Sequence, residues 1–350
     1  MGRMNEQHRM ERAQRLVTQQ GLAGLIIGTG PEMAYFTGHG EGSHERLTCL
    51  VITADSHRIV APMTDLAGFD SAIGWRDGQD AHALAVEILP PGPVALGSSL
   101  TTHHVLRFGE LIDAPLTHLP AGLFDVKEDA EIAELRRAGQ AIDRVHAQVP
   151  GLLLPGRTEA DVAAELHHLI LAEHDVVDFV IVGSGPNGAN PHHSFSGRVL
   201  QPGDPVVVDL GGTLNSGYHS DCTRTYVVPG AQAPEDFCRA YEAVRAGYLA
   251  ALEKARPGVT AGEVDGAARA SISDAGWGEY FTHRTGHGIG LSTHEEPFII
   301  AGSERVLERG MAFSIEPGVY VPGRWGIRIE DIVVLGEELE RLNVQPTVIR

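Results

Sequence analysis

Cysteine is scarce. The 350 residues hold only Cys49, Cys222 and Cys238, an odd count with no CxxC spacing. That argues against a disulfide framework and fits a reducing compartment. Basic residues are in deficit too: 27 Lys and Arg against 46 Asp and Glu leave a formal charge of −19. Such acidity disfavours nucleic acid or an anionic membrane surface as a partner. No apolar run approaches the roughly 18 residues that cross a bilayer. The stretch "MGRMNEQHRMERAQRLVTQQ" is charged throughout, unlike a secretory signal peptide. Neither a GxSxG elbow nor a P-loop occurs. These absences predict a cytoplasmic protein with no membrane or nucleic-acid partner.

What is present divides into two parts, within a length that suits one large or two ordinary domains. Residues 1–125 read as a small α/β domain. A helix through "EQHRMERAQRLVTQQ" stops at Gly21, and strand-like runs follow at "LAGLIIG", "LTCLVIT", "HRIVAPM" and "VALGSSL". No catalytic constellation stands out there. Near Val126 the character changes to a long amphipathic helix, "KEDAEIAELRRAGQAIDRVHAQV", with Ile132, Leu135, Ala138 and Ile142 near helical spacing. Residues 126–350 form the second domain.

That second domain repeats itself. "PGRTEADV" from Pro155 returns as "PGVTAGEV" from Pro257, an offset of 102, each a turn and N-cap opening a helix. "RVLQPGDPVVVDLGG" from Arg198 returns as "RVLERGMAFSIEPGV" from Arg305, an offset of 107. The second match aligns Asp209 with Glu316, so each half ends a buried strand in a carboxylate.

Burying a lone carboxylate costs several kcal/mol, so each needs a cation or strong donors. Asp209 in "PVVVDLGG", Asp221 in "YHSDCTRTYVV", Glu316 in "FSIEPG" and Glu330 in "GIRIEDIVVL" all pose this problem. Arg224 and Arg328 are near enough in sequence to neutralise one acid each, not four. Four acids and one histidine suit a pair of divalent cations, with Mn²⁺, Co²⁺, Fe²⁺ or Zn²⁺ all compatible and the oxygen majority leaning to Mn²⁺.

"HRTGHGIGLSTHEEP" from His283 sets His283 and His287 four apart, the spacing of a helical zinc site. Gly286, Gly288 and Gly290 make poor helix, so an extended backbone is expected and the helical reading is set aside. "GSGPNG" from Gly183 matches GxGxxG, but "PNGANPHHSFSG" follows where a dinucleotide site needs a helix. The same loop brings His192 and His193 toward the acids, either one a candidate proton carrier. Cys222 reads as a small strand residue and not as a nucleophile. His103, His104, His167 and His168 read as surface histidines.

Taken together, "SGPNGANPHHSFSGRVLQPGDPVVVDLGG", "GYHSDCTRTY", "HRTGHGIGLSTHEEP", "MAFSIEPGVYVPG" and "GIRIED" resemble the pita-bread metallopeptidases, the Xaa-Pro dipeptidase (prolidase) and aminopeptidase P group. The resemblance implies an α+β protein: a small α/β creatinase-type N-terminal domain, then a pseudo-twofold pita-bread catalytic domain. It implies two divalent metal ions, with Asp209 on one, Asp221 and Glu330 bridging both, and His287 and Glu316 completing the other. A metal-bridging hydroxide would attack the carbonyl before proline, with Glu316 as general base. His192 and His294 match histidines that hold substrate and steady the tetrahedral intermediate. His283 matches a substrate-pocket histidine, Arg328 a partner in proton transfer, and Thr223 a hydrogen-bond partner of a ligand.

The substrate implied is a proline-containing dipeptide or short peptide, and the assembly implied is a homodimer. Dipeptidase is preferred over aminopeptidase P; a non-catalytic pita-bread binding protein is the remote alternative. Two departures stand out. The Asp209–Asp221 interval of 12 is one longer than in many relatives, which a hairpin turn can absorb. Phe298 stands where some prolidases carry an Arg that reads the substrate carboxylate, leaving Arg46 and Arg324 as substitutes.

Overall fold

The computed structural model describes residues 2–42, 45–69 and 71–349. The chain forms two compact units, which meet in sequence between Phe124 and Asp125.

The N-terminal unit is a six-stranded mixed sheet. Gly24–Gly28 lies between Cys49–Ile52, its antiparallel neighbour, and Val94–Leu96, its parallel one. The first of these strands is buried along its whole length, as expected for "GLIIG" with elements on both faces. His104 departs from the surface reading: it is buried, and its Nδ1 lies 3.0 Å from Nε2 of His82. The helix Thr102–Leu111 turns His104 inward beside Phe108, while His103 stays exposed.

The second unit builds both of its halves in the same way. Thr158 caps the helix Glu159–Glu173 with a capping box to Asp161, and Thr260 caps Ala261–Asp274 with one to Glu263. Before each cap a glycine takes positive φ, +91° at Gly156 and +90° at Gly258. Each glycine N–H then reaches across to a leucine carbonyl, Leu200 at 3.1 Å and Leu307 at 2.8 Å. Isolated bridges Thr158–Val199 and Thr260–Val306 close both turns. The repeat read from "PG-T" and "RVL" is therefore a repeat of hydrogen bonding.

In each half a helix pair covers one sheet face. Val206, Val208, Leu210 and Cys222 pack against Ile142, Val145, Val162, Leu166 and Ile170. In the second half Phe313, Ile315, Ile327 and Ile329 pack against Val244, Tyr248, Val264 and Ala268. Because side chains alternate along a strand, the intervening Asp209, Asp221, Glu316, Arg328 and Glu330 turn to the other face. The apolar residues beside each acid thus fix where it points.

Candidate metal centre

Asp209 sits in the middle of Pro205–Thr213, and Asp221 in the antiparallel neighbour His219–Val227. Their ladder is unbroken from Pro205–Val227 to Thr213–His219, pairing Asp209 with Thr223 and Gly211 with Asp221. Asp209, Gly211, Asp221 and Thr223 therefore share one face. The turn, where Leu214 N–H bonds Tyr218 O at 3.0 Å and Gly217 takes φ +84°, holds any extra residue without disturbing the aspartates.

From the other half, Glu316 follows the strand Ala312–Ile315, Glu330 precedes Asp331–Leu335, and His287 is central in Gly286–Gly288. The last of these segments is a strand: a Cβ at Gly286 would lie 1.9 Å from Ser314 O, and one at Gly288 2.1 Å from Glu296 O. Backbones approach so closely only because those positions are glycine.

The side chains converge. Asp221, His287 and Glu330, all buried, each offer a ligand atom within 4.8 Å of the other two. His287 Nε2 is 3.4 Å from Glu316 Oε1 and 3.7 Å from Asp221 Oδ2. His287 Nδ1 faces Gly288 O at 3.0 Å, so the ring proton belongs on Nδ1 and the Nε2 lone pair faces the acids. Burial brings this imidazole down to about 4, which keeps it neutral.

The acids are short of positive charge. Burial first, then repulsion from neighbouring acids, raises Asp221 and Glu330 well above the usual carboxylate range, and burial raises Glu316 although His283 and Arg328 act against it. Arg328 is the cation on their face: Nη2 donates to Asp209 Oδ2 at 2.6 Å, Nε to Thr223 Oγ1 at 3.0 Å and Nη1 to Tyr320 OH at 2.8 Å. Thr223 donates in turn to Glu330 Oε2 at 2.7 Å. The fit to metal ions rests on two further atoms. Asp209 Oδ1 and Asp221 Oδ1 are buried and meet no hydrogen-bond donor among the described residues. Buried carboxylate oxygens without donors, beside an imidazole lone pair, are the donor set of divalent cations.

Arg224 does not serve these acids. It turns to the helix side of the sheet and pairs with Asp331 at 2.6 Å, and Tyr248 and Arg341 bind the same carboxylate. "GIRIED" thus splits its two acids between opposite faces. Cys222 Sγ faces Glu330 O at 3.6 Å, and burial pushes its thiol far up, consistent with an inert strand residue.

Of the other histidines, His294 lies with its ring centroid 4.1 Å from that of His287, the two rings tilted by 59°, and burial brings it to about 4. His192 is exposed and close enough to His294 to contribute to that shift. His193 turns away to Glu159 at 2.9 Å, which separates the two loop histidines. His283 Nε2 meets Tyr320 OH at 2.9 Å, and burial lowers its pKa.

Both substitutes for the missing arginine are paired with acids: Arg324 with Asp236 at 2.6 Å, and Arg46 with Asp77 at 2.7 Å. The cation that sequence reasoning overlooked is Arg284. Its guanidinium stacks 4.5 Å from the centroid of Phe298, and its charge acts on His287, His294 and Glu316. Among the described residues no carboxylate is paired with it. Its place in "HRTGHG", between two histidines, was the available signal.

Comparison with known proteins identifies the family. Residues 133–337 match the model of metallopeptidase family M24, and residues 9–107 match the creatinase/prolidase N-terminal domain. The chain is 49% identical over 334 residues to a probable dipeptidase, PepE, of Mycobacterium tuberculosis, covering 91% of this chain and 88% of that protein. It is 34% identical over 337 residues to an Xaa-Pro dipeptidase of Lactobacillus helveticus, covering 87% and 88%. The crystal structure of dipeptidase PepE from Mycobacterium ulcerans superposes with a TM-score of 0.95 at 46% identity, over 100% of this chain and 98% of that one. The chain is a metallopeptidase of family M24, with a creatinase/prolidase domain ahead of a pita-bread catalytic domain.

Proposed function

We propose that the chain is an Xaa-Pro dipeptidase working with two divalent metal ions. The observation that carries this reading is the convergence of Asp221, His287 and Glu330, with Asp209 and Glu316 beside them and two carboxylate oxygens lacking donors. Asp209, Asp221, His287, Glu316 and Glu330 would hold the two ions between them, with Asp209 on one side of the cluster and His287 beside Glu316 on the other. When bound, the ions supply an acidified water and polarise the carbonyl before proline.

The chain's own residues do the rest. Thr223 keeps one Glu330 oxygen fixed, and Arg328 keeps one Asp209 oxygen fixed, so each carboxylate presents its other oxygen. Glu316, whose proton affinity is raised by burial, serves as general base and later returns the proton to the proline nitrogen. His294 is neutral and donates a ring N–H to the developing oxyanion, and His192 holds the substrate from the loop side. His283 lines the substrate pocket through its bond to Tyr320. Arg284 is the cation placed to bind a substrate carboxylate. Proline's tertiary amide lacks the N–H that ordinary peptidases grip, so recognition must come from such terminal contacts and from shape.

The test is hydrolysis of Ala-Pro against Ala-Pro-Ala by chelator-treated protein reloaded separately with Mn²⁺, Co²⁺ and Zn²⁺. Restored cleavage of Ala-Pro, with the tripeptide poorly cut, is the expected result. Efficient tripeptide cleavage assigns the chain to aminopeptidase P, and no recovery with any metal overturns the hydrolytic reading. The complete set of acids, with His287, argues against a binding-only protein.

A further inference from the structure

The glycine-rich stretch Gly183–Gly197 has only the short 3-10 turn Gly185–Ala189, and five of its hydrogen-bond donors, from Ser184 to Ser196, meet one side chain, Glu159. Glu159 is the first residue of the helix Glu159–Glu173 and is fully buried. Its carboxylate accepts from Ser184 N–H at 2.7 Å and Ser184 Oγ at 2.6 Å. It also accepts from Asn187 Nδ2 at 3.1 Å, His193 Nε2 at 2.9 Å and Ser196 Oγ at 2.7 Å. All these donors lie in residues 184–196. Together they hold the carboxyl below its usual range although burial acts the other way.

The second half solves the matching problem differently. There the buried Asp265 accepts from Thr285 N–H and Oγ1 but is also paired with Arg269 at 2.9 Å. Among the described residues the Glu159 carboxylate has no arginine or lysine partner; the basic side chain that pairs with it is His193. A carboxylate satisfied by dipolar donors needs all of them in place at once, which makes Glu159 sensitive to the path of the loop.

The far side of the same loop leans on the metal-binding face. Pro191 O accepts from Arg328 Nη1 at 3.4 Å, and a Cβ at Gly326 would lie 1.8 Å from Gly188 O. The glycines of "GSGPNG" thus serve close packing. His192 lies between Pro191 and His193, the residues latched on either side.

We propose that Glu159 is a positioning residue: its carboxylate holds residues 184–196 in the path that presents His192 beside His294. The proposal rests on the reading in which His192 engages the substrate.

The test uses the metal-loaded full chain and compares Glu159→Gln, His192→Ala and the double variant on Ala-Pro. Glutamine keeps the volume but turns an N–H₂ toward existing donors. Glu159→Gln should lower kcat/KM on the order of tenfold to a hundredfold, the cost of misplacing a reacting group, with bound metal unchanged. In the His192→Ala background the same change should alter kcat/KM by less than about twofold, the scatter of non-interacting sites. If the two losses instead multiply, or Glu159→Gln lowers Tm with kcat/KM intact, Glu159 is structural only and the proposal is overturned. If His192→Ala alone leaves kcat/KM unchanged, the reading of His192 fails and takes the proposal with it. Should Glu159→Gln not fold, Ser196→Ala removes one donor and leaves the carboxylate; its loss must also vanish without His192, and an additive loss overturns the proposal.

Discussion

Arg328 donates through Nη2 to Asp209 Oδ2 at 2.6 Å, both side chains buried, and so joins a base to one of the four acids. The same guanidinium bonds Thr223 and Tyr320, so it ties the strand that carries Asp221 to the hydroxyl that His283 also meets. Removing one partner of a buried pair leaves the other uncompensated, at a cost of about 3–5 kcal/mol. Arg328→Met should therefore lower the unfolding free energy of the metal-free chain by about that amount, read by urea denaturation. Arg328→Lys keeps the charge but not the fork, so it should recover most of the stability and little of the activity. Equal activity in the Lys variant would show that charge alone is needed.

Asp221 behaves in the opposite sense. Burial and repulsion raise its pKa in the folded chain, so the folded state favours the protonated form. Its contribution to stability is full below the unfolded pKa and is lost as pH rises through the folded one, so ionised Asp221 destabilises the metal-free protein at neutral pH. Asp221→Asn should raise the Tm of the metal-free chain while abolishing peptidase activity. Adding Mn²⁺ should raise the Tm of the wild type and leave the variant nearly unmoved. A variant that stays active would remove Asp221 from the metal site.

Much of this site was legible in the sequence because apolar neighbours flag a buried acid. "VVVDL" and "FSIEPG" place Asp209 within a core strand and Glu316 just past the end of one, and period-2 alternation puts them opposite the helices. The repeat was readable because its turns need glycine at positive φ and a threonine cap, which are sequence-specific demands. Partner choice was not readable. Arg224 and Arg328 flank similar strands, yet one faces Asp331 and the other Asp209. His192 and His193 are adjacent and part in opposite directions for the same reason. His104 looked like a surface residue because nothing local shows that His82 lies opposite. Arg284 was hidden among glycines and histidines, since only the fold sets it on Phe298.

Thr223 tests how far the surroundings of the metals matter. Its hydroxyl bonds Glu330 at 2.7 Å and accepts from Arg328 at 3.0 Å. Partners of this kind typically contribute about 10–100-fold in metal affinity or activity. Thr223→Ala should weaken Mn²⁺ binding within that range by calorimetry, whereas Thr223→Ser should stay within a few-fold of wild type. If both variants bind Mn²⁺ alike, the hydroxyl does not orient Glu330.

Arg284 carries the most specific expectation. A dipeptide places a free carboxylate one residue from the scissile bond, and a guanidinium braced on Phe298, with no carboxylate partner among the described residues, is suited to receive it. A hydrogen bond to a charged group contributes about 1.5–3 kcal/mol, or roughly tenfold to a hundredfold in kcat/KM. Arg284→Met should lose that much on Ala-Pro, mostly through KM. On Ala-Pro amide, which has no terminal charge, wild type and variant should be nearly equal. Because Phe298 holds the guanidinium by its face, Phe298→Ala should reproduce part of the loss on Ala-Pro and little on the amide. An equal loss on both substrates would mean that Arg284 acts through His287 and Glu316 and not on the carboxylate.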